Sequence, residues 1–130
     1  MIEVELSKII IDEHKKEQVI ILKEKEGTRL LPIIIGVNEA VAIKMELGGF
    51  SPPRPLTHDL MLSIMGHLGV NLDKVVIDDL IDGTFHAKLH LKDHSQALKV
   101  VDARPSDSIA LALRSKSPIF VEEGVLEKTY

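Results

Sequence analysis

The hydrophobic pattern of the chain switches between a period of two and a period near 3.6, and the switch points mark its elements. Ile- and Val-rich runs at Val4–Ile11 and Gln18–Lys23 flank the polar stretch Glu13–Lys16 and predict a β-hairpin. Glu26-Gly27 supplies a second turn into Arg29–Ile35. Pro32 within that run suits an edge strand or a bulge, because proline gives no N–H to a ladder. Gly36 ends the three strands. Asn38 is then a candidate cap for a helix over Glu39–Leu47, which Gly48-Gly49 stops. A stiff connector, Phe50–Pro55, leads to Leu60, Met61, Ile64, Met65 and Leu68, which recur at helical spacing. That recurrence predicts a helix with one buried face, capped by Thr57, carrying Asp59 in its first turn, weakened by Gly66 and ended by Gly69.

The second half is read the same way. Lys74–Ile81 and Thr84–Leu91 form the clearest hairpin, since Asp82-Gly83 between them is the preferred pair for a two-residue turn. In its second arm Phe85, Ala87, Leu89 and Leu91 share one face, and Thr84, His86, Lys88, His90 and Lys92 share the other. Asp93–Gln96 turns into a strand over Ala97–Val101. A helix follows over Pro105–Ser115, broken at Ser117-Pro118, then a short strand Ile119–Val121 and a helical turn within Glu122–Glu127. The order is strands, two helices, strands, helix, strand. It predicts an α+β fold with a mixed, mostly antiparallel sheet and about three helices, in one domain spanning residues 1–130.

Composition narrows the chemistry. A length of 130 residues supports one real core, and 45% apolar residues exclude a disordered chain. Aromatics at 3% argue against a base-stacking platform for single strands. A net charge of -4 argues against non-specific coating of nucleic acid but leaves room for a local basic cleft. The absence of cysteine excludes disulfides, cysteine-ligated metals and cysteine nucleophiles. No apolar run reaches transmembrane length and MIEVELSK is not a signal peptide, so a cytoplasmic chain is expected. The aliphatic strands leave a sheet edge to cover, which a homodimer would do.

Two helix starts carry the candidate chemistry. Arg54–Leu68 reads RPLTHDLMLSIMGHL and Ala103–Leu113 reads ARPSDSIALAL: each has Arg-Pro, a hydroxyl residue and an Asp before an apolar helix. Arg54 and Arg104 precede prolines, which holds their backbones extended, and arginine offers a planar fork matching phosphate or carboxylate. Thr57 and Ser106 are candidate caps; His58 is the histidine with reactive neighbours, suited to proton transfer near neutral pH. His58 and Asp59 point about a hundred degrees apart on a helix and need not touch. If the two starts converge, the forks and the positive helix ends would bind a phosphodiester, with His58, Asp59 and Asp107 serving proton transfer or an ion. The same parts also fit a plain clamp, in which Arg54 and Arg104 pair with Asp107, Asp59 or Asp102. His86 and His90 lie roughly 13 Å apart along a strand, too far for one metal. Asp78 and Asp79 point to opposite faces and cannot chelate jointly without a bulge.

LPIIIGVNEAVAI (Leu31–Ile43), RPLTHDLM (Arg54–Met61), DDLIDGTFHAKLHL (Asp78–Leu91), DARPSDSIALALR (Asp102–Arg114) and PIFV (Pro118–Val121) together resemble the bifunctional nuclease domain family across nearly the whole chain. The resemblance implies a compact α+β domain that dimerises and breaks down RNA and DNA, as plant members are credited with doing. Ser108 stands where relatives commonly have a small apolar residue. The chemistry of the two helix starts, at motif positions this sequence matches, makes His58, Asp59 and Asp107 the expected catalytic residues. Arg54, Thr57, Arg104 and Ser106 are the expected substrate contacts, with Mg²⁺ or Mn²⁺ offsetting the phosphate charge. A different class remains open: a non-catalytic dimeric module whose Arg-lined notch holds a small anion, or whose sheet edge takes a protein partner.

Overall fold

In the computed structural model, which describes residues 1–12, 14 and 17–129, three strands form a meander: β1 (Ile2–Ile10), β2 (Glu17–Glu24) and β3 (Leu30–Gly36). Most of the turn expected over Glu13–Lys16 lies outside the described residues. The helices α1 (Val37–Leu47) and α2 (Thr57–His67) follow, then strands β4 (Val70–Ile81), β5 (Thr84–Asp93) and β6 (Leu98–Ala103). Helix α3 (Pro105–Ser115), the short strand β7 (Ile119–Val121) and helix α4 (Glu123–Thr129) complete the chain. The helical turn expected near the C-terminus is thus a fourth helix, where about three were expected.

All strands join one sheet in the order β3-β2-β1-β7-β4-β5-β6. Every pairing is antiparallel except β7 with β4, so β7 closes the gap between the first meander and the second. β3 is an edge, as Pro32 required, and its residues alternate exposed and buried. The Asp82-Gly83 turn forms with both residues at positive φ, the geometry of a tight two-residue hairpin. Bulges shift the β4–β5 register between Leu72 and Lys74 and between Ile77 and Asp79. The edge strand β3 and β5, next to the opposite edge, line a common cleft, since Ile33–Gly36 of β3 and Thr84 and Phe85 of β5 face it together. The sheet therefore curls.

Helix α3 occupies the inside of that curl. From Pro105 to Ala112 every residue but Asp107 is buried. Ala110, Ala112 and Ser108 keep its surface low, so α1, α2, β4 and β5 can all pack on it. Ile109 and Leu111 meet a core built from Ile20 and Leu22 of β2, Val75 and Ile77 of β4, Leu89 of β5 and Ile43 of α1. The exit of α3 is a left-handed Lys116 at φ 57 rather than a glycine.

Helix α2 departs from expectation. Leu60, Met61, Ile64 and Leu68, the residues expected to be buried, are exposed. Leu62 and Met65 lean on the core, and His58 is the helix's buried residue. The sheet has no room for a wide apolar stripe there, because α3 already covers β4 and β5 and leaves α2 only a narrow seat. Caps also differ. Leu56, Arg104 and Gly36 hold the N-cap positions of α2, α3 and α1, none with a side-chain cap bond. Thr57 and Ser106 are already inside their helices, and Asn38 is inside α1, since each cap falls one or two residues earlier, at Leu56, Arg104 and Gly36.

Candidate active site

The two Arg-Pro helix starts converge. His58, on the second residue of α2, places Nε2 3.0 Å from Oδ1 of Asp107 on the first turn of α3. Its imidazole is 7% exposed, because this face of α2 turns toward α3. Arg104, one residue before α3, donates from Nε to the second oxygen of Asp107 at 3.0 Å. Its Nη2 donates to Oε1 of Glu39, in the first turn of α1, also at 3.0 Å. A chain Glu39–Arg104–Asp107–His58 thus ties three helices together at their N-terminal ends. Burial by itself would raise the Asp107 carboxyl. The hydrogen bonds from His58 and Arg104 outweigh it and hold that carboxyl below the usual carboxylate range. The Asp107 hydrogen bond and charge in turn raise the Arg104 guanidinium, which stays charged at any working pH.

These groups face solvent. A cleft of about 290 Å³ between α1 and the start of α2 is lined by Glu39, His58, Arg104 and Asp107. Val41, Ala42, Met45, Leu56 and Thr57 are also among its lining residues. Arg104 also lines the larger cleft, about 460 Å³, at the closing seam of the curled sheet, together with Pro105 and Ser106. The larger cleft holds little titratable chemistry, so the smaller one is the candidate site.

The sequence-predicted residues divide. His58, Thr57, Arg104 and Asp107 share the smaller cleft, while Ser106 is buried behind Arg104 and opens on the larger one. Asp59 sits beside the cleft with both oxygens engaged: Oδ2 accepts from the Leu56 N–H at 3.0 Å and Oδ1 from Arg114 Nε at 2.9 Å. Arg54 is exposed, lines neither cleft and enters no ion pair among the described residues. Of the expected clamp pairings, Arg104 takes Asp107, whereas Asp59 takes Arg114 and Asp102 takes Lys88. Arg114 is 4% exposed along its side chain and also donates to the Ala110 and Ala42 carbonyls, at 3.2 and 3.0 Å. Glu39 and Arg114 were not picked out from sequence. An arginine closing the wholly apolar run IALAL is the signal that could have found Arg114; Glu39 gave none beyond its place in a first turn.

The donor set does not suit a resident divalent ion as it stands. Both oxygens of Asp107 and both of Asp59 are engaged, Glu39 is bonded to Arg104, and no group of three acidic or imidazole ligands converges among the described residues. On the far strands, Asp78 pairs with Lys88 and Asp79 with Lys128.

Fold and site together define an α+β domain with a histidine–carboxylate–arginine cleft where helix starts meet. The family model described as the bifunctional nuclease domain matches residues 20–130, which hold every residue of that cleft, and the chain belongs to this family. It is 47% identical over 124 residues to an uncharacterized protein of Mycobacterium tuberculosis strain H37Rv, covering 95% of this chain and 73% of that relative. It is 30% identical over 107 residues to Bifunctional nuclease 1 of Arabidopsis thaliana, and 27% identical over 109 residues to Bifunctional nuclease 1 of rice, subspecies japonica. Those matches cover 80% and 82% of this chain and 33% of each plant protein. No helix among the described residues is long and apolar enough to cross a membrane.

Proposed function

We propose that the chain is a nuclease that hydrolyses phosphodiester bonds of RNA or DNA, acting as a homodimer in the cytoplasm. The observation that carries this reading is the 3.0 Å contact between His58 and Asp107 beside a solvent-facing arginine. With Asp107 ionised, His58 Nε2 carries the hydrogen of that bond, and Nδ1 presents its lone pair. Nδ1 has no other partner among the described residues and is the nitrogen that takes or returns a proton in the cleft. Asp107 fixes the ring's tautomer and stabilises the imidazolium that forms. Arg104 spends Nε on Asp107 and Nη2 on Glu39, and its Nη1 remains for a phosphate oxygen. The first turn of α3 adds its positive end. Asp59 acts on position rather than chemistry: it holds the start of α2 that carries His58. No step here runs through Mg²⁺ or Mn²⁺, and a metal requirement is decided by assay.

The test is digestion of RNA and of single-stranded DNA by purified protein, with Mg²⁺, with Mn²⁺ and with chelator, beside His58→Ala and Asp107→Ala. Cleavage lost in both variants is the expected result. Equal cleavage by wild type and both variants would remove the site. A second reading, a non-catalytic notch for a small anion or a surface for a protein partner, is favoured by the net charge of -4 and the 3% of aromatics. Under that reading phosphate or a nucleotide raises the melting temperature and is not cleaved.

A further inference from the structure

Helix α2 presents an apolar surface that none of the described residues covers. Leu60, Ile64 and Leu68 stand 52%, 51% and 72% exposed at a spacing of four residues, with Met61 beside them. From Leu60 to Leu72 the sequence holds no Asp, Glu, Lys or Arg, in a chain that is 28% charged. We propose that this face of α2 is where a second copy of the chain docks, by two-fold pairing of α2 against α2. The proposal rests on the self-association proposed above and names its surface.

Three observations select that occupant. A two-fold interface sets the same patch against itself, and a patch without charge does so with no like-charge repulsion, which a chain of net charge -4 would otherwise suffer. The uncovered apolar area of Leu60, Met61, Ile64, Leu68 and the neighbouring Val41 is on the order of 500 Å², roughly the apolar share of the ~800 Å² that each partner buries in a standard interface. The helix surface is also low next to the row. Ser63 is exposed there, and a Cβ built on Gly66 meets open space, so a second helix can approach closely. The same surface suits neither a membrane nor nucleic acid, since both would call for Lys or Arg along it. Antiparallel packing centred on Ile64 brings Leu60 against Leu68 of the partner subunit. Thr57 lines the His58 cleft one turn before Leu60 and Met61, so the seam between the copies runs to the mouth of that cleft.

The test is sedimentation of the full chain as wild type, Ile64→Glu, Leu60→Glu and, as a control on the exposed edge strand β6, Val100→Glu. The expected result is twice the chain mass for wild type and Val100→Glu, and a single chain mass for both α2 variants. Unchanged far-ultraviolet circular dichroism and a cooperative melt in the variants confirm that they are folded, even where loss of the dimer lowers the midpoint; both residues are half exposed, so a carboxylate there is tolerated by the monomer. Wild type at a single chain mass overturns self-association itself. A dimer that survives both α2 variants, or that only Val100→Glu dissolves, leaves self-association standing and overturns the α2 surface.

Discussion

Replacing Arg114 by methionine tests whether α2 is held at its front end from inside the protein. Methionine keeps the length and apolar stem of the side chain and removes the guanidinium. Three hydrogen bonds go with it: to Asp59 Oδ1 at 2.9 Å, to the Ala42 carbonyl at 3.0 Å and to the Ala110 carbonyl at 3.2 Å. Ala110 O and Ala42 O both lie within helices, α3 and α1, so the loss falls chiefly on Asp59. Breaking a fully buried ion pair costs about 3–5 kcal/mol. Asp59 is 37% exposed and water takes over part of its solvation, which lowers the expected cost to about 2–3 kcal/mol. For a chain of this size that is a fall in melting temperature of roughly 10 °C. Urea and thermal unfolding followed by circular dichroism near neutral pH measure it. A double-mutant cycle with Asp59→Asn isolates the pair, with a coupling of about 1–2 kcal/mol expected. Arg114→Lys should not rescue, because one ammonium cannot reach acceptors on three helices from one rotamer. A loss under about 0.5 kcal/mol, or additivity of the two variants within about 0.3 kcal/mol, would refute the reasoning.

Other outcomes follow from the same geometry. Asp107 has its native carboxyl held below the unfolded value of about 3.9, so its contribution to stability is full above about pH 4 and is lost as pH falls through the lower native value. Asp107→Asn should therefore melt below wild type near neutral pH, with the two midpoints converging in acid; parallel curves down to the acid limit would contradict this. Burial, and then the Lys74 charge, lower the His90 imidazole, whose Nδ1 has no hydrogen-bond partner among the described residues. It should cost stability as pH falls through the ordinary histidine value of about 6.5, and His90→Gln should flatten that part of the stability profile. Gly83 sits at φ +78, and a Cβ added there would meet nothing, so Gly83→Ala carries only the conformational cost of about 1–2 kcal/mol, measurable as a shifted urea midpoint at unchanged slope.

The hairpins, the edge position of Pro32, the helix over Pro105–Ser115 and the α+β order were legible in the residues, because each rests on local rules. Alternation marks a strand, Asp-Gly marks a tight turn, and proline cannot donate to a ladder. The burial of α2 was not legible. Leu60, Met61, Ile64, Met65 and Leu68 read as one core stripe, yet only Met65 reaches the core. Periodicity shows that a face is apolar and not what lies against it. The caps failed for a related reason. Thr57 and Ser106 have suitable hydroxyls, but α3 begins at its Arg-Pro junction and α2 is capped by Leu56, one residue before Thr57.

For the site, the sequence alone supplied the ingredients: His58, Asp59, Arg104 and Asp107 at two like helix starts, and a family likeness that the match over residues 20–130 bears out. Tertiary structure decided the pairing. β7 slots between β1 and β4 and the sheet curls about α3, which carries Asp107 to His58 across 49 positions of chain. It sent Asp59 to Arg114, left Arg54 outside, and drew in Glu39 from α1. Ion pairs between distant segments depend on where whole elements dock. Docking is fixed by core volume and sheet order summed over the chain, and no window of neighbouring residues contains that sum.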